Sequence, residues 1–371
     1  MICLLKKPTK PYLTNTHQYK ILLSPATGAD SLGVTYRDAG IDISKIKKSQ
    51  ADIGRLISST HKLQKGIKTM SGFGHYAGIV EIPGGKLLAT HTDGVGTKVI
   101  IAQMMRKYNT VGVDCVAMNV NDIICTGAVP ISFVDYIAAN RNDQKIFKEI
   151  VRGLVTGAKK SKVPIVGGET AILPDLIAGK NFSFDLAGMV VGILDKQNMV
   201  LGDKISSGDI IIGVKSSGLH SNGYSLARKV LLSKYSLRDK IRGLGVLGDA
   251  LLEPTEIYVQ PVLEAIRESD IHGLAHITGG SFTKLLRLKK IGYVIDSLPE
   301  PPEIFQIIEN QDVEKEEMYK TFNMGIGFCL IAPEEEEENI NAIFKKHGLH
   351  SRQIGEIKDR KGVFVDSLKI A

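Results

Sequence analysis

Four times along this chain an apolar, strand-like run gives way to a loop of glycines and hydroxyls. The first loop is Thr90-His91-Thr92-Asp93-Gly94-Val95-Gly96-Thr97-Lys98 and the second is Gly167-Gly168-Glu169-Thr170. The third is Ser216-Ser217-Gly218-Leu219-His220-Ser221-Asn222-Gly223-Tyr224-Ser225, and the fourth is Ala275-His276-Ile277-Thr278-Gly279-Gly280-Ser281. Apolar runs interleaved with helix-patterned segments restrict the chain to layered architectures in which helices cover sheets. The loops fall in two halves of similar length, separated by the polar, glycine-containing stretch 195–209. The expected organisation is an extension over 1–30, an amino-terminal domain over 31–200 and a carboxy-terminal domain over 201–371. The fold class is α/β (α+β), and no close repeat relates the halves.

Local patterns fill in the elements. Ile79 to Ala89 reads as a hairpin around Pro83-Gly84-Gly85, and Val113 to Ile124 as a buried helix closed near Gly127. Ile131 to Ala138 is a strand, Phe147 to Lys160 a helix, and Val163 to Val166 a strand ending at Gly167-Gly168. Asp185 to Ile193 is a long strand, and Ile210 to Val214 starts the second cycle. Pro333, five glutamates and then Lys345-Lys346 read as a helix whose charges match its dipole.

Composition narrows the function. Hydrophobic residues at 43% and charged residues at 23% exclude a disordered or fibrous chain. No apolar run approaches the roughly 18 residues of a membrane span, so no membrane association is expected. The net charge of +7 favours anionic ligands in general. Aromatics are scarce, Trp is absent and no basic-aromatic interleaving occurs, so nucleic acid is not an expected partner. The four cysteines form no C-x-x-C pair, which argues against a zinc ribbon or redox motif. Reduced, buried thiols in a cytoplasmic protein are the expectation.

Each loop has a bland reading and a chemical one. Thr90 to Lys98 supplies a carboxylate, glycines, hydroxyls and a lysine, a set suited to magnesium and phosphate. The bland alternative is a tight turn before a helix. Gly72-Phe73-Gly74-His75-Tyr76-Ala77-Gly78 is not a dinucleotide fingerprint, because its third glycine is late and a strand follows. Asn119 and Asp122 lie one helical turn apart on an otherwise apolar helix, with Asp114 roughly on the same side. Left unpaired when buried they cost about 1–3 kcal/mol each, so they are either satisfied structurally or bind a metal-nucleotide. The loops at 216–225 and 275–281 suit helix caps or anion sites.

Taken together, these strings resemble phosphoribosylformylglycinamidine cyclo-ligases. The resemblance rests on Tyr36 to Asp42, Thr92 to Lys98, Asn119 to Asp122, Val166 to Ala171, His220 to Ser225, Leu252 to Tyr258, His276 to Gly280 and Met318 to Gly327. It spans roughly residues 33–360. It implies ATP-dependent ring closure of formylglycinamidine ribonucleotide to aminoimidazole ribonucleotide, with ADP and phosphate released, in purine biosynthesis. It also implies a homodimer whose paired amino-terminal sheets form a barrel, with a carboxy-terminal α/β domain beside it. Asp93 and Asp122 match positions that hold Mg2+ and ATP. Gly94, Gly96, Thr97, Lys98, Asn119, Gly167, Gly168, Glu169 and Thr170 match neighbouring nucleotide positions. His220 and His276 are the candidates for proton transfer or substrate positioning, whereas His75 and His91 match no motif and receive no role. The nearest rival is the catalytic subunit of formylglycinamidine ribonucleotide synthetase. The stretch Lys68-Thr69-Met70-Ser71 departs from the glycine-rich pattern usual before Gly72.

Overall fold

The computed structural model describes residues 33–35, 37–40 and 43–371. The expected extension over 1–30 and part of the Tyr36 to Asp42 string lie outside the described residues. The first described helix is α1 (Ile43–Ser58), and six strands follow as the first sheet. They are β1 (Lys68–Thr69), β2 (Gly78–Glu81), β3 (Leu87–Gly94), β4 (Val129–Ala139), β5 (Ile165–Ile172) and β6 (Phe184–Leu194). Their order is β1-β2-β3-β6-β4-β5, and only β4 and β5 run parallel. A parallel neighbour needs a long crossover, and the 18-residue helix α4 (Gln144–Ser161) supplies it. Asp143 caps α4, its carboxylate accepting from the backbone of Lys145 and Ile146 at 3.1 and 3.2 Å.

Two helices connect β3 to β4: α2 (Lys98–Met105) and α3 (Asn109–Ile124). Helix α3 is buried on nearly every side. Gly112 and Gly153 let α3 and α4 approach backbone to backbone, since a Cβ on either would enter the other helix's main chain. An all-round buried helix has no solvent face for its polar groups, so Asp114, Asn119, Asn121 and Asp122 must find partners inside the protein.

The second sheet begins with β7 (Ile210–Lys215). The chain then forms α5 (Tyr224–Leu231), a small hairpin of β8 (Lys240–Ile241) and β9 (Gly245–Val246), α6 (Leu247–Leu251) and α7 (Val259–Glu268). Strands β10 (Gly273–His276) and β11 (Gly292–Ile295) precede α8 (Glu303–Glu309) and α9 (Lys315–Thr321). Then come β12 (Ile326–Ala332), α10 (Glu337–Lys346), β13 (Ser351–Lys358), β14 (Gly362–Val365) and β15 (Leu368–Lys369). The seven-stranded order is β10-β12-β7-β13-β11-β14-β15, with only β11 and β14 parallel. Both sheets are thus largely antiparallel, and the protein is a two-domain mixed α/β fold.

The hairpin, the buried helix and the long strand fall where the sequence predicts them. Three details differ. Gly167-Gly168-Glu169-Thr170 is not a loop but the middle of β5, because β4 continues the parallel ladder past the glycines. The segment after Gly280 is a 3-10 helix, Ser281–Arg287, entered from a left-handed Gly280. The glutamate run starts with a short 3-10 turn before α10. Cys115, Cys125 and Cys329 are buried free thiols. No helix among the described residues is long and apolar enough to cross a membrane.

Candidate active site

The site is built from the end of β3 outward. His91 and Asp93 sit two residues apart in one strand and so project to one face. The last turn of α3 brings Asp122 against them. One ligand-capable atom from each of His91, Asp93 and Asp122 lies within 4.8 Å of the others. His91 Nε2 is 3.6 Å from Asp122 Oδ2, too long for a hydrogen bond.

The second sheet contributes the facing groups. His276, at the end of β10, donates from Nδ1 to Asp122 Oδ1 at 2.6 Å. Asn121 settles which nitrogen of His276 carries the proton. Its Oδ1 accepts from the backbone N–H of Tyr258 at 2.9 Å, and its Nδ2 donates to the Glu256 carbonyl at 2.7 Å. The same Nδ2 faces His276 Nε2 at 3.4 Å, leaving that nitrogen as the acceptor. Burial pushes the His276 pKa down despite the Asp122 carboxylate, so the ring is a neutral donor. Lys284, from the 3-10 helix after the fourth loop, is buried and donates to Thr278 Oγ1. Its Nζ and the Arg287 guanidinium lie 5.7 and 5.6 Å from the centre of the Tyr76 ring.

These charges divide the two carboxylates. Burial alone would raise Asp122, but the Lys284 charge and the His276 hydrogen bond outweigh it and hold Asp122 well below the usual carboxylate range. Asp93 is raised, by burial first and by the Asp122 charge second. The two carboxylates repel each other, a cation between them would offset that repulsion, and His91 adds a third donor within 4.8 Å. The donor set therefore fits a divalent cation.

The expected site residues separate into groups. Asp93, Asp122 and His276 come together, and His220 lies behind them with its ring 6.3 Å from that of His276. His220 is fully buried, Nε2 accepts from the Ser217 N–H at 3.3 Å, and burial pushes its pKa well down. Asn119 is committed to positioning. Its amide accepts from the Asp93 N–H at 3.0 Å and donates to the carbonyls of Asp93 and Cys115 at 3.1 and 2.8 Å. Lys98 lies apart from the cluster. Its Nζ is fully buried, 2.9 Å from both oxygens of Asp114, and donates to the carbonyls of His220 and Glu253 at 2.9 and 2.6 Å. Gly94 donates to Asp93 Oδ1 at 2.8 Å, Gly96 makes the left-handed turn into α2, and Thr97 meets Ser225 at 3.3 Å. Gly167, Gly168, Glu169 and Thr170 are exposed on the edge strand β5. His91 and Lys284 were missed by the sequence reading. The His91–Asp93 spacing in a strand was a usable signal, whereas nothing local ties Lys284 to Asp122.

The two largely antiparallel sheets fall in the class of AIR synthase related proteins, by the matches of their two domains. Residues 74–194 match the family described as AIR synthase related protein, N-terminal domain, and 206–367 match its C-terminal domain. A phosphoribosylformylglycinamidine cyclo-ligase from Methanobrevibacter smithii is 47% identical over 341 residues, covering 91% of this chain and 98% of the relative. One from Methanocaldococcus jannaschii is 48% identical over 332 residues, covering 88% and 93%. Among solved structures, AaThiL complexed with AMPPCP and TMP aligns with a TM-score of 0.60 at 18% identity, covering 85% of this chain and 92% of that one. That likeness speaks to the fold. The chain belongs to the phosphoribosylformylglycinamidine cyclo-ligase family, and the shared name among the relatives sets aside the synthetase-subunit alternative.

Proposed function

We propose that this chain closes the imidazole ring of formylglycinamidine ribonucleotide with ATP, yielding aminoimidazole ribonucleotide, ADP and phosphate. The observation that carries the reading is the cluster of His91, Asp93 and Asp122 with His276 hydrogen-bonded to it and the Lys284 charge acting on Asp122, in a chain of this family. The formyl oxygen is a poor leaving group. It attacks the γ-phosphorus, the bond to the bridging oxygen breaks, and ADP departs. The formamide N–H proton is lost as the iminophosphate forms. The amidine nitrogen then attacks the former formyl carbon, the C–O bond breaks and phosphate leaves. The attacking nitrogen loses its proton, and a methylene proton shifts to the exocyclic nitrogen to complete the aminoimidazole.

Asp93 and Asp122 would hold a divalent cation, Mg2+ in this reading, which would supply charge neutralisation for the transferring phosphoryl group. The chain's own groups do the remaining work. Lys284 acts on Asp122 through its charge, which burial disfavours and the Asp122 carboxylate favours. His276, with its tautomer set by Asn121, orients the Asp122 carboxylate, so it acts as a positioning residue. Asn119 fixes the backbone of Asp93, and His220 backs His276. Gly94, Gly96 and Thr97, on the turn from Asp93 into α2, would offer backbone and hydroxyl groups to ATP. Holding ATP and the formyl oxygen in line is worth about 7–11 kcal/mol of the barrier.

We also propose a homodimer. The face of the first sheet away from α3 and α4 leaves Val129, Ile131, Tyr136, Val166 and Met189 between 40% and 64% exposed. An uncovered apolar face of this kind favours a second sheet over water. Gly167, Gly168, Glu169 and Thr170 flank that face, and their part in the ATP site depends on the second subunit. The reaction is tested by supplying formylglycinamidine ribonucleotide, ATP and Mg2+ and following ADP and aminoimidazole product together. Stoichiometric release is expected, with Asp122→Asn folded but strongly impaired at limiting Mg2+. ADP release without the aminoimidazole, or an unimpaired Asp122→Asn, overturns the reading.

A further inference from the structure

We propose that His91 is a third protein ligand of the site's divalent cation, and that its nitrogen makes the site prefer Mn2+ and its later neighbours to Mg2+. The inference rests on the metal-assisted reading above and goes beyond it, since that reading needs only the two carboxylates.

Three observations carry it. His91 and Asp93 share one face of β3, and with Asp122 they offer three ligand atoms within 4.8 Å of one another. The buried Nε2 of His91 has no hydrogen-bond partner, which is costly for an imidazole nitrogen in a protein interior. Each carboxylate is already oriented through one oxygen. His276 Nδ1 holds Asp122 Oδ1, and the Gly94 N–H holds Asp93 Oδ1. Such outer hydrogen bonds are what metal-binding carboxylates ordinarily carry. The bland reading is a His91–Asp122 ion pair, but at 3.6 Å it satisfies neither group as a hydrogen bond.

Donor chemistry then predicts selectivity. Mg2+ takes oxygen ligands in near-octahedral geometry and keeps its waters, so an imidazole adds little. For a mixed nitrogen and oxygen set, affinity rises from Mn2+ towards the later first-row ions. A site with His91 replaced by an oxygen or by nothing loses that discrimination while keeping the carboxylates that suit Mg2+.

The test uses the full chain and the metal alone. Mn2+ binding is measured by electron paramagnetic resonance, with Mg2+ as competitor, and nitrogen coupling to the bound Mn2+ is read from spin-echo modulation. Wild type should bind one Mn2+ per chain with a directly coordinated nitrogen and hold it against a ~10-fold excess of Mg2+. His91→Asn should lose the coupling and weaken Mn2+ by ~10–100-fold, with Mg2+ affinity little changed. Asp122→Asn should lose both ions. Wild-type Mn2+ without nitrogen coupling, or an unaltered preference in His91→Asn, overturns His91 ligation and leaves the two-carboxylate site standing. Wild type that binds neither ion, or Asp122→Asn that binds Mn2+ normally, overturns the metal site itself and this inference with it.

Discussion

Lys98→Met separates two physical accounts of one lysine. The sequence resemblance puts Lys98 beside the nucleotide, where its loss weakens ATP binding and leaves stability alone. The structure gives the ammonium three protein partners and no exposure. It sits 2.9 Å from both Asp114 oxygens and donates to the carbonyls of His220 and Glu253. Asp114 also accepts the Thr255 N–H and Oγ1–H at 2.7 Å each. Lys98→Met keeps most of the apolar stem but strands a buried carboxylate with Thr255 as its remaining partner. Breaking a buried pair from one side costs about 3–5 kcal/mol. The two orphaned carbonyls, at about 1–3 kcal/mol each before relaxation, push the loss to the upper end. Urea unfolding followed by circular dichroism should show a lower midpoint at an unchanged slope. The double variant Lys98→Met with Asp114→Asn should recover much of it, since the amide carries no stranded charge. A Lys98→Met unfolding free energy within about 0.5 kcal/mol of wild type, together with weakened ATP binding, refutes the anchor and restores the phosphate role.

Two further outcomes follow from other parts of the fold. Hydrogen bonds from Lys346 and then His347 draw the Glu264 carboxyl from its ordinary 4.5 to about 2. The unfolded chain therefore takes up that proton first on acidification, so the contribution is complete above pH 4.5 and is lost between 4.5 and 2. Glu264→Gln should flatten that part of the stability curve, and an unchanged acid limb refutes the pairing. Met189→Asp, on the uncovered face of the first sheet, should turn a sedimenting dimer into a monomer. A dimer of undiminished affinity rules out that face as the interface.

Much of the fold was legible because local chemistry and tertiary context agree. The Pro83-Gly84-Gly85 turn and the apolar length of β6 each state their element in a few residues. Strand β5 was read too short because Gly167-Gly168 signals a loop locally, whereas the β4 ladder extends the strand from outside. Within the site, Asp93 and Asp122 stand out because carboxylates on apolar elements require an explanation. Lys98 shows the converse, a residue whose surroundings no local pattern encodes. A lysine after a glycine-rich loop suggests phosphate, and its burial depends on Asp114 and on two carbonyls from the other half. The Lys284 charge acts on Asp122 only through the packing of one sheet against the other, which no local pattern encodes.

Helix α3 explains why the site lies at the seam between the sheets. Asp114 and Asn121 are two helical turns apart and so share a face. Both read the segment from Thr255 to Tyr258, through the Thr255 backbone and hydroxyl and the backbone of Glu256 and Tyr258. Asn119 instead pins the backbone of Asp93, and Asp122 reaches the cluster itself. One buried helix thereby registers the first sheet and the second half against a common axis, using polar groups that must stay paired. A shift of the second half along α3 would cost the Asn121 and Asp114 hydrogen bonds before it moved His276 from Asp122. The geometry of the cluster is thus held by bonds outside it, and these same bonds account for why an apolar helix carries Asp114, Asn119, Asn121 and Asp122 in its interior.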